Sequence, residues 1–391
     1  MPKTAEVVIV GGGINGCSIA YHLARRGIRN VVLVEKGHIA SGPTGRSSGV
    51  VRQHYTTETL SAMARDSVRV FEHFEEEIGG DAGFVQCGVV FLASSENAAV
   101  LASSVEMHQR IGIRESMLSR DELKAMDPQL FHEDVASGAY DQDGGYADPT
   151  LAANGFADAA RRLGVEIVQR TTVTSLRVEG GKIAGVRTDK GDIASATVVD
   201  AAGPWGSKIA AEVGVEIPIT VTRHPVVVMQ RPLAWRNPTP VWGDLISGWY
   251  FKPDGGNTGI MVGSVRDDHR SVDPDSHEDT PTHDEIDAAS SAIVRRFPVM
   301  EEGTARKGWA GVYDVTPDSQ PVIDRIEHVA GFFCAFGFSG HGFKIGPAVG
   351  QIVTDLVVDG HCRSYDISIF RYDRFKRGDL HPGGYSYSIV G

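Results

Sequence analysis

The first forty residues alternate between short apolar runs and one amphipathic stretch. Residues 6–10 read EVVIV, a β-branched run typical of a buried parallel strand. The turn GGGING follows, and CSIAYHLARRG then has the apolar periodicity of a helix that ends near Gly27, a plausible C-cap. A second apolar run, VVLV, leads directly into Glu35. This order predicts a strand–helix–strand unit with parallel strands.

The glycine spacing in this unit matches G-x-G-x-x-G and predicts a dinucleotide site. Gly11 permits the tight turn, Gly13 lets the backbone approach a pyrophosphate, and Gly16 lets the helix pack closely on the strand. The N-terminus of the helix attracts phosphates through its free N–H groups and its dipole. Glu35 lies roughly twenty residues further on, where an acid binds ribose hydroxyls. This acid argues against NADP but does not separate FAD from NAD. The alternative is an ordinary turn with incidental glycines.

The rest of the chain interleaves two kinds of pattern. Helical periodicity covers residues 58–78 and 98–111, and another helix opens at Asp148-Pro149-Thr150. Short strands with glycine turns fill residues 165–203 and 222–263, and a capped helix follows within 277–297. No internal repeat is visible. The interleaving predicts two domains that are both discontinuous in sequence.

Composition narrows the class of protein. The chain has 391 residues and a formal net charge of -12, which argues against nucleic-acid binding. No apolar run is long enough to span a bilayer, and the N-terminus lacks a signal-peptide pattern. The four cysteines are scattered without metal-ligand spacing. We therefore expect a cytoplasmic, reduced protein with no metal site.

Two glycine-rich segments indicate close contact between the backbone and a ligand. Residues 40–49 form a loop of small residues that suits a ligand approached by backbone amides and hydroxyls, although a plain solvent loop is the alternative. Near the C-terminus, FGFSGHGFKIG is too apolar for a linker and too rich in glycine for a packed strand. We predict a strand over 329–336, a turn over 337–342 and a helix from Phe343. By the family resemblance described next, the turn and the positive helix end would stabilise charge on a reduced flavin, which favours FAD over NAD.

The same segments carry a family resemblance over essentially the whole chain. The chain resembles the FAD-dependent D-amino-acid oxidase superfamily, and within it the sarcosine oxidases and dimethylglycine dehydrogenase. The matching motifs are VVIVGGGINGCSIAYHLARRG, SGPTGRSSGVVRQHY, ATVVDAAGPW, YFKPDGG, GVYDVTPDSQPVID and FGFSGHGFKIGPAVG, in family order.

The resemblance implies an α/β fold and a two-domain division. A Rossmann-like FAD-binding domain would comprise residues 1–80, 147–220 and 325–391. A β-rich substrate domain, with a mixed antiparallel sheet and helices, would comprise 81–146 and 221–324.

The resemblance also implies a reaction, the oxidation of a C–N bond in a small secondary or tertiary amino acid of the N-methyl type. Hydride transfer to flavin N5 would give an imine that hydrolyses. The alternatives are an FAD-dependent 2-hydroxy-acid dehydrogenase, an NAD-dependent dehydrogenase, and a chain of a hetero-oligomeric dehydrogenase that needs a partner. The identity of the amine and the oligomeric state, homo- or hetero-oligomeric, stay open.

The implied substrate residues are Arg52, Tyr250, His341 and Lys344. Arg52 and Lys344 would bind the substrate carboxylate, Tyr250 matches an active-site tyrosine, and His341 would lie near the flavin. His54 and His341 are the candidates for a general base, if one is needed. The predicted cofactor-binding residues are Gly11, Gly13, Ile14, Asn15, Gly16, Glu35, Lys36, Thr44, Gly45, Arg46, Ser47, Val173, Ala202, Gly203, Trp205, Gly340, Gly342 and Lys344.

Departures from the family pattern qualify these expectations. Arg46 stands where dimethylglycine dehydrogenase has its flavin-linking histidine, and GWAGVYD has no cysteine where monomeric sarcosine oxidases have theirs. We therefore expect noncovalent FAD and no FMN. Met261 stands where the oxidases have a lysine that promotes oxygen reduction, so the electron acceptor is either oxygen or another molecule. Lys252 is expected to face a different way and not to replace that lysine.

Overall fold

The computed structural model describes residues 1–266 and 270–385. Its first layer is a six-stranded sheet, in which Val7–Val10 pairs in parallel with Val31–Val34 and with Val198–Asp200. One edge strand, Val322–Arg325, runs antiparallel to its neighbour. In spatial order the strands are Val322–Arg325, Phe332–Phe336, Val198–Asp200, Val7–Val10, Val31–Val34 and Glu166–Val168.

The central strands of this sheet are apolar on both faces because both faces are covered. Val7 and Ile9 pack into a core with the helix Ile14–Arg25, which contacts helices Pro149–Arg162 and Gly346–Val358. Val8 and Val10 belong to the opposite core, under a three-stranded sheet. That sheet has the order Gly191–Ala194, Lys182–Thr188 and Val173–Glu179. The first strand is thus apolar throughout because both of its faces are buried.

A second, eight-stranded sheet is mostly antiparallel. Its one parallel pairing joins Val89–Ala93 to Val241–Asp244. Trp242 and Phe251 pack in its core with Phe297, at the end of a capped helix. In spatial order the strands are Thr304–Val315, Thr220–Gln230, Gly259–Ser264, Trp249–Asp254, Val241–Asp244, Val89–Ala93, Ser137–Asp141 and Glu115–Leu118. A separate pair joins Val50–Val51 to Gly145–Tyr146.

Several boundaries differ from the sequence-based ones. The helix predicted over 58–78 is interrupted at His73, which leaves helical geometry at φ -112° and ψ 30°. The C-terminal strand begins at Phe332 because Gly331, at φ +87°, forms a turn before it. The last long helix begins at Gly346 rather than Phe343, with a proline in its first turn, where the missing N–H costs nothing. The α-helices are Ile14–Arg25, Glu58–Glu72, Phe74–Glu77, Ala98–Arg110, Arg120–Met126, Pro149–Arg162, Gly206–Ala211, His283–Arg296, Gly346–Val358 and Arg374–Arg377.

The predicted fold class is confirmed: an α/β nucleotide-binding layer is combined with a β-rich part. The six-stranded sheet takes its strands from three separate stretches of the chain. The exact domain boundaries stay a prediction. Within residues 1–266 and 270–385, no helix has both the length and the apolar character needed to cross a membrane.

Candidate cofactor and substrate site

A cavity of about 570 Å³ opens at the carboxyl ends of the central parallel strands. Such ends are where ligands bind in open α/β sheets. Most of the predicted cofactor residues line it, namely Gly11, Gly13, Ile14, Asn15, Glu35, Lys36, Thr44, Arg46, Ser47, Val173, Ala202, Gly203, Trp205, Gly340 and Gly342. Gly16, Gly45 and Lys344 were also predicted as cofactor contacts but do not line the cavity.

The three exceptions have structural reasons. A Cβ on Gly16 would lie 1.9 Å from the carbonyl oxygen of Gly11, so Gly16 serves the packing of the turn. A Cβ on Gly45 would lie 2.2 Å from the carbonyl oxygen of Ala40, whose oxygen also accepts the Gly45 N–H. Lys344 is buried in the turn beside the cavity, where it belongs to the substrate residues described below.

The glycine turn leaves room for a ligand at the start of the first helix. Gly11 has a φ of +109°, and a Cβ there would lie 2.4 Å from the carbonyl oxygen of Ala201. A Cβ on Gly13 would meet only the Thr44 hydroxyl, at 3.0 Å, among the described residues. Thr44 accepts the N–H of Ile14 at 3.1 Å. The turn is therefore closed on the protein side and open on the cavity side.

Glu35 is fixed at the end of the second strand by two backbone donors. Gly12 N–H donates to its Oε2 at 2.6 Å, and Gly37 N–H donates to its Oε1 at 2.6 Å. Carboxylate oxygens have further lone pairs, so both remain able to accept hydroxyl groups from a ligand in the cavity.

One rim of the cavity is formed by a segment that the sequence patterns did not indicate. Asp275 accepts hydrogen bonds from Lys36 Nζ at 2.7 Å and from Trp205 Nε1 at 3.0 Å. Lys36 Nζ also lies 3.5 Å from the centre of the Trp205 ring. Asp275 and His277 come from the far end of the chain's β-rich part, so no local signal could have placed them here. Other lining residues without a predicted role are Thr171, Thr172, Lys208, Glu212, Tyr313, Asp314, Phe338 and Phe343.

The glycine-rich turn near the C-terminus is held by Asp314. Its carboxylate accepts the N–H of Gly337 at 2.6 Å, and its carbonyl oxygen accepts the N–H of Ser339. Burial raises the pKa of Asp314 to about 6. Gly340 and Gly342 line the cavity, whereas Gly346 packs against Ile14. The absence of side chains at these glycines thus lets the backbone come close to the cavity at two of them and close to the first helix at the third.

Arg52, His341 and Lys344 lie together in the interior, next to this turn. All three are buried. Burial, and then the charge of Arg52, lower the pKa of Lys344 well below its usual value. Burial lowers the pKa of His341 as well, with Lys344 and Arg52 adding to the effect. Arg52 and His341 line a second cavity of about 60 Å³.

Tyr250 belongs to the same neighbourhood. Burial raises the pKa of Tyr250 to about 12, although a hydrogen bond with Ser48 opposes the shift. Burial, followed by the nearby Tyr250, raises the pKa of Tyr313, while Arg52 opposes it. Tyr313 therefore connects the wall of the large cavity with Arg52.

Lys252 contradicts one expectation. It is the direct cross-strand partner of Met261, so both side chains point to the same face of the sheet. Lys252 does not line either cavity, however, and its Nζ lies 4.3 Å from the centre of the Tyr146 ring. Lys252 was expected to face away and does not, but its place against Tyr146 still keeps it from lining the cofactor cavity.

The comparisons with known proteins identify the class. A family model described as FAD dependent oxidoreductase matches residues 6–356, so the chain belongs to this family. The chain is 28% identical to mitochondrial sarcosine dehydrogenase from Mus musculus, over 95% of its own length and 42% of that protein. It is 26% identical to sarcosine oxidase subunit beta from Rhodobacter capsulatus, over 97% of this chain and 90% of that one.

A solved structure is similar over the whole chain. L-proline dehydrogenase from P. horikoshii superposes with a TM-score of 0.89 at 31% identity, covering 97% of this chain and 100% of that one. The resemblance drawn from the motifs is thus confirmed, and the protein is an FAD-dependent oxidoreductase. The chain spans less than half the length of the mammalian sarcosine dehydrogenases it matches.

The residues of the large cavity fit FAD. The start of the first helix and Gly13 suit the pyrophosphate, and the Glu35 carboxylate suits the ribose hydroxyls. Asn15 Oδ1 is buried and has no hydrogen-bond partner among the described residues. A buried acceptor of this kind is satisfied when a ligand donor occupies the cavity. The cofactor prediction is confirmed by the family, and these residues are those that would hold it.

Proposed function

We propose that the protein oxidises the C–N bond of a small amino acid whose amine is secondary or tertiary. The observation that carries this proposal is the pair of buried basic side chains, Arg52 and Lys344, beside the cofactor cavity. FAD, when bound, would supply the two-electron acceptor, which takes both electrons together with a hydrogen nucleus as a hydride.

The two cations suit a carboxylate. No described acidic residue forms an ion pair with Lys344, and burial disfavours its charge. A substrate carboxylate would restore that charge, and the Arg52 guanidinium can hold the same group with two parallel N–H donors. The pair would fix one end of the substrate and leave its amine free to turn toward the large cavity.

His341 is suited to receive a proton. Burial, with Lys344 and Arg52 adding to the effect, lowers the pKa of its imidazole and favours the neutral ring, and its Nδ1 has no hydrogen-bond partner among the described residues. The substrate amine must lose its proton before its α-carbon or N-methyl carbon is oxidised. His341 is the acceptor, because both ring nitrogens of His54, the other candidate, are hydrogen-bonded, one to Glu115 and one to Tyr385. Tyr250 and Tyr313 would exclude water from the carboxylate.

The names of two relatives favour a secondary amine as the substrate. Sarcosine is N-methylglycine and L-proline is a cyclic secondary amino acid, and relatives named for both are similar to this chain over nearly all of its length. The likeness to a sarcosine oxidase subunit beta also supports a partner subunit, and Met261 supports an electron acceptor other than oxygen.

A matched substrate panel tests the proposal. Turnover would be followed with an artificial electron acceptor, using sarcosine, L-proline, N-methylated amines without a carboxylate, and lactate. We expect activity with an amino acid, a loss of at least ~100-fold without the carboxylate, and none with lactate. Activity with lactate alone would favour the 2-hydroxy-acid alternative, which a carboxylate clamp also serves.

A further inference from the structure

A buried chain of polar side chains lies behind Arg52. His54 Nδ1 lies 2.8 Å from Glu115 Oε1, and His108 Nδ1 is hydrogen-bonded to Glu115 Oε2. On the outer side, His54 Nε2 is hydrogen-bonded to the hydroxyl of Tyr385. The side chains of His54, His108 and Glu115 are at most 2% exposed. We call these four residues the histidine chain.

The contacts of His108 determine where its protons are. Its Nε2 lies 2.8 Å from the carbonyl oxygen of Tyr55, which can only accept. The Tyr55 N–H is farther away, at 3.4 Å. The Ser61 hydroxyl lies 3.0 Å from Nε2, and it can accept there because it donates its own hydrogen to the Tyr55 carbonyl oxygen at 3.3 Å. The contact to the carbonyl oxygen therefore favours a hydrogen on Nε2. Its Nδ1 faces a carboxylate, which also only accepts when it is ionised. These contacts call for a donor at each ring nitrogen of His108, and a ring with both hydrogens would form a buried ion pair with Glu115.

The pKa shifts of Glu115 and His54 agree with these proton positions. Burial by itself would raise the pKa of Glu115, but the attraction and hydrogen bonds of the two imidazoles lower it. Burial lowers the pKa of His54, which leaves that ring neutral. His54 then donates from Nδ1 to Glu115 and accepts the Tyr385 hydroxyl proton at Nε2. Every polar atom of the chain has a partner of the correct kind.

The histidine chain is connected to the substrate site through the backbone. Arg52 Nη1 donates to the carbonyl oxygen of His54. The Arg52 guanidinium also lies 4.3 Å from the centre of the Tyr55 ring, and the Tyr55 carbonyl is the group that His108 binds. Tyr385 lines the 60 Å³ cavity together with Arg52.

We propose that His108, Glu115 and Tyr385 are positioning residues for the substrate carboxylate. They hold the His54–Tyr55 backbone, which in turn holds the Arg52 guanidinium in its binding position. This inference rests on the proposed function, because it concerns the same carboxylate site. In this proposal the three residues act on the carboxylate through Arg52 and not by contact with the reacting atoms.

The first test measures the protons and needs no substrate. The FAD-loaded protein, labelled with ¹⁵N-histidine, is examined by NMR at pH 7, and the His108 signals are assigned by their loss in His108→Gln. We expect both ring nitrogens of His108 to be protonated. A neutral His108 ring, or one equivalent of bound metal in an elemental analysis, would overturn the account. The three ring and carboxylate groups lie within 4.8 Å of one another, so a metal is the relevant rival.

The second test separates geometry from charge at Glu115. In Glu115→Gln, the amide can accept from His54 and donate to a neutral His108, so the geometry is kept. Glu115→Leu leaves the Nδ1 atoms of both imidazoles without a partner. Acetate binding, measured by its perturbation of the flavin spectrum, should weaken by less than about 3-fold in the first variant and by at least about 10-fold in the second. Glu106→Gln, on the same helix as His108 and exposed, is the matched control.

Two results would contradict the proposal here. One is equal loss in both Glu115 variants, and the other is unchanged acetate binding in Glu115→Leu. If Glu115→Leu does not fold, Tyr385→Phe decides, because it removes only the hydroxyl. We expect a rise in the acetate Kd of about 3-fold to 10-fold, and a rise in KM with kcat changed less than about 2-fold. Tyr372→Phe is its control, and unchanged binding in Tyr385→Phe would reject the proposal.

Failure of the proposed function would look different. In that case no amino acid reduces the flavin, while the histidine protonation and the acetate results are unaffected. The two proposals can therefore fail independently.

Discussion

At the scale of single residues, Lys344 is the most informative side chain. It is 4% exposed, and no described acidic residue forms an ion pair with it. A lysine costs free energy when it is buried without a counter-ion, so such a residue is retained where a ligand supplies the negative charge.

Replacing Lys344 should therefore affect binding before it affects folding. Lys344→Met keeps much of the side-chain volume and removes the charge. We expect the Kd of a carboxylate ligand to rise about 30-fold or more, corresponding to roughly 2 kcal/mol, while FAD stays bound. Lys182→Met, at an exposed position, is the matched control. Unchanged carboxylate affinity in Lys344→Met would remove this residue from the site.

Two glycines of the first turn should respond differently to the same change. Gly13→Ala adds a Cβ that meets only the Thr44 hydroxyl among the described residues, whereas Gly16→Ala places one 1.9 Å from a backbone oxygen. We expect Gly13→Ala to fold and to bind FAD at least about 10-fold more weakly, and Gly16→Ala to lose the folded state. Circular dichroism and FAD titration separate the two outcomes.

Gly259→Ala is the control for these substitutions, because a Cβ there has only ordinary contacts of 3.4 Å or more. Equal FAD affinity in Gly13→Ala and the natural protein would contradict the pyrophosphate position.

At the scale of elements, the strand Thr304–Val315 of the eight-stranded sheet carries Asp314 near its end. Asp314 there contacts the turn that follows the last strand of the six-stranded sheet. The Asp314 carboxyl is buried, and burial raises its pKa to about 6. Because the folded value lies above the unfolded one, the folded state binds an extra proton between about pH 4 and pH 6. The stability that Asp314 contributes is therefore present in acid and is lost as the pH rises through 6.

Asp314→Asn tests the direction of this dependence of stability on pH. The amide oxygen can still accept the Gly337 N–H, while the buried charge is removed. We expect the free energy of unfolding to increase by up to about 3 kcal/mol at pH 8 and to be nearly unchanged at pH 4, measured by urea titration with FAD present. Asp287→Asn, at an exposed position, is the control. A destabilised Asp314→Asn at pH 8 would show that the turn needs the carboxylate itself.

The elements also show what the sequence could and could not predict. The first turn was predictable because its glycines, helix and Glu35 follow one another closely, and each has a local mechanical reason. The start of the last helix was misplaced because Phe343 and Lys344 look helical, whereas Pro347 fixes the true first turn. The histidine chain was not predicted, because its members come from three distant parts of the sequence.

At the scale of the whole molecule, the cofactor cavity is completed by both sheets. The segment with Asp275 reaches the cavity from the β-rich part and binds Lys36 and Trp205. This long-range contact has no periodic or motif signal. The interleaving of the two patterns was predictable, but this contact, which connects them at the cavity, was not.

The noncovalent attachment of FAD is a prediction at this scale. Arg46 stands at the position of a linking histidine, and its side chain contacts His277 and Asp279. We expect acid precipitation to release all the flavin into the supernatant. Yellow colour retained in the pellet would show a covalent link, for which His277, a lining residue, would be the first candidate.

The most direct test of the account is the response of the bound flavin to a small secondary amino acid without oxygen. Sarcosine or L-proline would be added anaerobically to the FAD-loaded protein while the absorbance near about 450 nm is recorded. The account predicts bleaching by at least one of them, and none by the corresponding amine without a carboxylate. No bleaching by any amino acid, or bleaching by lactate alone, would contradict it.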